Sequence, residues 1–198
     1  MCEESIKVEK TPVKDLVKKM ASARLFEDKK GNLPSIAEYA KVGAVAVEYG
    51  VDPFAGHIML YKHNPYVTVN GLIHHAQHQP DFDAIMQIPL VGEARKEYCE
   101  GMGLTNEGTC VFECRVYKKG SDRHSNAFAT ASKKDMGSFL ASEEKNVPAM
   151  AQTRATGRAL RTAYGIGAPI AEEIELETVP PDIDINASFK KESDNGKN

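Results

Sequence analysis

"TCVFECRVYKKGSDRHSNAFATAS", Thr109 to Ser132, decides the fold. Phe112, Cys114 and Val116 alternate with Glu113, Arg115 and Tyr117, the period-two pattern of a strand with one apolar face and one face open to solvent or a ligand. "KKGSD" supplies a turn and the chain returns as a second strand, so this stretch is a hairpin. Just upstream, "FDAIMQIPL" reads as another strand, closed by Pro89.

Further out the periodicity changes. "LPSIAEYAKVGAVAVEYG" places Ser35 to cap a helix, Glu38 three residues later to complete a capping box, and Gly50 where the helix stops. Two short strands follow, about His57 to Lys62 and Tyr66 to Val69, joined by a His63-Asn64-Pro65 turn and stopped by Gly71. "LIHHAQHQ" is a short helix ended by Pro80, and Val91–Gly108, polar and rich in glutamate and glycine, reads as a surface loop or insertion. After the hairpin come a short helix ("KKDMGSFLA"), a link ("SEEKNVP") and a final helix with Pro148 in its first turn. The expected fold is α+β: an antiparallel sheet of about five short strands with helices packed on one face. The chain divides into an N-terminal arm or docking helix (1–32, with Val13, Leu16, Val17, Met20 and Leu25 at helical spacing), a core (33–170) and an acidic tail (171–198) expected to be disordered.

A chain of 198 residues, 41% apolar, suits one domain with tails. No apolar run approaches the roughly 18 residues of a membrane span, and the expected location is cytoplasmic, with no membrane partner. Cys2, Cys99, Cys110 and Cys114 form no CxxC pair and read as structural thiols. The formal charge of −3 is unevenly spread: residues 172–198 carry eight acids against three lysines, which leaves a balance of +2 before them, and Cys110–Tyr164 holds ten basic and five acidic side chains.

The basic half ends in "AMAQTRATGRALRTAYGIG", Ala149 to Gly167. On a helix Ala151, Ala155, Ala159 and Ala163 form one stripe and Arg154, Arg158 and Arg161 another, with no glutamate anywhere between Glu144 and Glu172. Small residues let the helix lie close to its support, and guanidinium groups in a row suit phosphate oxygens. Lys118, Lys119, Arg123, Lys133 and Lys134, with Arg115 on the hairpin, add a second basic element, and Tyr66, Tyr117 and Tyr164 offer stacking surfaces for unpaired bases. The alternative for the arginines is pairing with acids of the fold or of a neighbouring subunit.

"YGVDPFAGHIMLYK…PYVTVNGLIHHAQHQPDFDAI" resembles the signature of the RecT/Red-beta single-strand annealing proteins. "CVFECRVYKKGSDRH" is similar to the family's following strand and turn, and "GRALRTAYG" to its last core helix; "RALR" is also similar to the eukaryotic annealing mediators of homologous recombination. The resemblance spans about Ser35 to Ile166; the Val91–Gly108 insertion and the alanine-rich last helix depart from the commonest phage members. It implies a non-enzymatic, ATP-independent protein that assembles into rings or helical filaments, binds single-stranded DNA in a positive groove and anneals it to a complementary strand. A partner exonuclease or single-strand binding protein fits that role; no cofactor is expected, with magnesium bound alongside the DNA as the alternative. By position Arg158 and Arg161 match basic residues of the family's DNA-facing helix and Lys118, Lys119 and Arg123 its basic hairpin, while Arg154, Lys133 and Lys134 extend the set.

Two other function classes compete. In "HHAQHQPDFD", His74 and His78 lie four apart and Asp81 and Asp83 follow, spacing that suits a metal-dependent nucleic-acid enzyme, although no glutamate stands between the histidines as the zincin pattern requires. The third class is a structural assembly protein whose basic row makes subunit contacts.

Overall fold

The computed structural model describes residues 13–105, 107–135 and 146–167; the acidic tail, and most of the helix and link expected between Lys133 and Pro148, lie outside them. Helix α1 (Val13–Ser22) docks on α2 (Ile36–Tyr49) through Leu16, Val17 and a fully buried Met20, so the N-terminal piece is a packed helix. The two come close at Gly43, where a Cβ would lie 3.0 Å from Val13 Cγ1. Ser35 and Glu38 form the expected capping box and Gly50 ends α2 in the left-handed region at φ 63°. The bonds from Ser35, followed by the nearby His63 imidazole, hold the Glu38 carboxyl down at about 2.

Strands β1 (Ile58–Tyr61) and β2 (Asn64–Val67) pair antiparallel. Their turn is Lys62-His63, not His63-Asn64-Pro65: both residues have positive φ (45° and 68°), the mirror-image turn that suits strand twist, and Asn64 opens β2 while its side chain donates to the Lys62 carbonyl. Helix α3 (Val69–Gln77) follows, capped by the Thr68 hydroxyl, which accepts from the Gly71 N–H. Gly71 therefore sits inside the first turn of α3 rather than stopping a strand.

The chain then builds a separate antiparallel sheet in the order β3 (Phe82–Leu90), β4 (Cys110–Lys118), β5 (His124–Ala131). The five strands thus form two sheets, of two and three strands, rather than one. The reason is local: β1 and β2 are four residues each, and α3 intervenes before the chain reaches β3. Helix α5 (Asn146–Tyr164) covers one face of the larger sheet, with Ala151, Ala155, Ala159 and Leu160 buried and Cys114, Val116 and Ala129 in the core beneath it. Alanine facing alanine brings helix and sheet together, which is the role expected of the alanine stripe.

The stretch read as a loop contains a helix, α4 (Gly92–Gly101), which covers part of the opposite face; Tyr98 stacks on Phe128 at 5.2 Å and Cys99 is buried. Helices therefore flank the larger sheet on both sides, not one. Its polar surface hid α4 from periodicity, because one buried thiol and one aromatic contact anchor it. Cys99, Cys110 and Cys114 are free thiols. Lys133–Asp135 is a single 3-10 turn where a short helix was expected to begin. Among the described residues no helix is long and apolar enough to cross a membrane.

Candidate nucleic-acid interface

Residues four apart on α5 run beside β5, which is an edge strand among the described residues. Arg154 Nη1 donates to the Thr130 carbonyl at 3.1 Å and Arg158 Nη1 to the Phe128 carbonyl at 3.3 Å. Arg161 departs from the row: its Nε donates to the carbonyl of Ile166 at 3.3 Å, folding back over the end of its own helix. The single arginine stripe of the helical wheel is thus two edge-capping guanidinium groups and one at the helix terminus, where a cation is favourable. Sheet-edge carbonyls are a third class of partner that sequence spacing cannot reveal.

Lys133 and Lys134 are exposed in the turn directly after β5. Asp135 ties that turn down by accepting from the Ser132 N–H and hydroxyl, and lies 4.0 Å from Arg154. Arg154 and Arg158 thus lie along the β5 edge and Lys133 and Lys134 in the turn at its end, with Asp135 beside Arg154 and Glu107 lining the same hollow as the two lysines.

The β4–β5 hairpin splits its basic residues between two faces. Lys118 turns to the α5 side, 3.0 Å from Asp81 Oδ2 and 4.3 Å above the Tyr164 ring. Lys119 and Arg123 stay exposed at the turn. Arg115 lies on the opposite face and grips Glu113 with two hydrogen bonds of 2.7 and 2.8 Å, while Asn126 donates to the same carboxylate. The Arg115 guanidinium holds the nearly buried Glu113 carboxyl below its ordinary range, and the pair raises the pKa of Arg115.

The three tyrosines separate. Tyr66 packs edge-on to Tyr61 and lines a groove with Val45, Glu48, Tyr49, Asn64, Pro65 and Gly167, where none of the basic set reaches. Tyr164 belongs to the core, its hydroxyl buried and its ring between His75 and Lys118. Tyr117 alone remains on the open side of the hairpin, beside His124.

The structure does not assemble His74, His78 and Asp81 into one ligand set. Asp81 is held by Lys118, His78 Nδ1 donates to the His74 carbonyl at 2.8 Å, and no group of three or more His, Cys, Asp or Glu residues is placed to hold a metal among the described residues. Instead His57, His74 and His78 stack in sequence, with centroids 4.5 and 4.2 Å apart. Burial, then the neighbouring His57 and His78, lowers the pKa of His74, with Asp52 opposing. The folded protein takes up this proton less readily than the unfolded chain, so the contribution is intact above about pH 6.5 and is lost as pH falls below it. The melting temperature is expected to be lower at about pH 5.5 than at about pH 7.5, and His74→Gln to reduce that difference; equal pH dependence in both proteins would refute the assignment to His74.

Compared with protein-family models and with curated proteins, the chain matches none of either.

Proposed function

We propose that the chain is an ATP-independent single-stranded DNA-binding and annealing protein that acts as an oligomer, a ring or a helical filament, in homologous recombination. The observation that carries this reading is the basic edge of β5, where Arg154 and Arg158 of α5 reach the strand carbonyls and Lys133 and Lys134 follow in the turn at the strand's end. The resemblance to the RecT/Red-beta proteins over Ser35–Ile166 supports the same reading. A strand carbonyl fixes each guanidinium in place at the sheet edge, where Arg158 is exposed, and a fixed guanidinium suits a phosphate oxygen. The chemistry is positional: cations hold a strand and relieve phosphate repulsion, while base pairing supplies sequence recognition.

Fluorescence anisotropy with a labelled oligothymidine tests it. Wild type is expected to bind at low salt, and Arg154→Glu/Arg158→Glu to bind about 100-fold more weakly, two charge-assisted contacts being lost. The slope of log affinity against log salt should become shallower by about 1.4, or 0.7 for each phosphate contact. Absence of wild-type binding at low salt refutes the proposal. Equal affinity of the folded double variant and wild type shows instead that the arginines only cap the sheet edge. Pairing of two complementary dye-labelled strands, faster with protein than without, tests annealing itself.

A further inference from the structure

Strand register divides the sheet face opposite α5 into four rows: Leu90–Val111–Thr130, Ile88–Glu113–Phe128, Met86–Arg115–Asn126 and Ala84–Tyr117–His124. Helix α4 sits toward the first two, where Tyr98 meets Phe128 and Val111 is 1% exposed. Over the other two rows the face is open among the described residues: Ala84, His124 and Asn126 are exposed and Met86 is 48% exposed.

The open rows carry flat groups. Tyr117 and His124, cross-strand partners, have ring centroids 5.3 Å apart and planes 38° apart. In the next row the Arg115 guanidinium is fixed along its edge by Glu113, which leaves its planar face as the stacking surface, and Met86 lies opposite it in register. Lys119 and Arg123 rim the patch at the hairpin turn, opposed there by Asp122, and Arg158 reaches the β5 edge one row away at Phe128. Two rings and a fixed guanidinium plane with cations at the margin fit unpaired bases with their phosphates. A protein partner would ask for more apolar surface than Met86 and Ala84 offer.

We propose that Tyr117, His124 and Arg115 form a base-stacking platform for a single strand whose phosphates run beside β5. This rests on the single-strand-binding reading and adds a location for the bases. Stacking holds a base by its flat face and leaves its pairing edge toward a second strand, which is what annealing requires.

The chain contains no tryptophan, so Tyr117→Trp introduces a sole emitter on the platform. Oligothymidine is expected to quench that emission in step with the anisotropy change, whereas an abasic oligonucleotide of equal length does not, and Tyr98→Trp, on α4 against Phe128, is left unquenched. His124→Trp provides the same readout if Tyr117→Trp folds poorly. Tyr117→Ala and His124→Ala should each weaken oligothymidine binding about tenfold, near the worth of one stacked base. Strand binding by anisotropy without quenching in either platform variant overturns the platform and leaves the single-strand reading standing. No strand binding at all overturns both.

Discussion

Gly71→Ala is expected to destabilise the protein by about 3 kcal/mol and lower its melting temperature by roughly 10 °C. A Cβ at this position would lie 2.4 Å from the His57 carbonyl oxygen and 2.9 Å from Val67 Cγ1. The first neighbour is backbone, held by the Thr68 N–H at 2.9 Å, so no rotamer change relieves the contact. Helix α3 must then move off the β1–β2 hairpin, and Leu72 and Ala76 leave the core with it. Gly101→Ala is the control: nothing lies within 4 Å of a Cβ there, and its effect should be within about 1 kcal/mol of zero. Equal melting temperatures for Gly71→Ala and wild type would show that α3 is not seated on the hairpin as described.

Leu160→Ala should cost about 3 kcal/mol, read as a lower urea midpoint with an unchanged slope. Leu160 is fully buried and is the bulky side chain on the buried face of α5, among Ala151, Ala155 and Ala159. It shares its core with Leu72, Val67, Cys114, Val116 and Ala129. Alanines have no side-chain freedom with which to refill a hole, and the helix already lies close to the sheet, so most of the cavity persists. Thr162→Ala on the exposed side of the same helix should change stability by no more than about 0.5 kcal/mol. A loss below about 1 kcal/mol at Leu160 would mean that helix and sheet collapse to fill the space.

What was legible in the sequence shares one property: the controlling interactions are local. The α2 caps depend on Ser35, Glu38 and Gly50, each within a turn of the backbone groups it serves. The β4–β5 hairpin follows from alternation across one turn, and the burial of Ala151, Ala155 and Ala159 follows from spacing on one helix. Even the split of the hairpin into an apolar face and an open one is written in the order Phe112, Glu113, Cys114, Arg115, Val116, Tyr117.

The candidate site was less legible, because partners that share no sequence neighbourhood decide where a charge points. Arg154, Arg158 and Arg161 are alike on a helical wheel, yet two find the carbonyls of a strand about 24 to 30 residues away and the third finds its own helix end. Lys118 and Lys119 are adjacent, but strand alternation and Asp81 carry the first to the α5 side. Tyr66, Tyr117 and Tyr164 are chemically identical and end in a hairpin groove, on an open sheet face and in the core.

The sequence by itself therefore determined the α+β class, the capped helix and the two faces of the hairpin, since periodicity and caps act over a few residues. Only the tertiary structure decided that the strands form two sheets, that α4 covers half of one face, and that the arginines of α5 cap an edge strand. Those outcomes depend on contacts closed over long stretches of chain, where burial and unpaired backbone groups choose the partner and residue spacing carries no record of the choice.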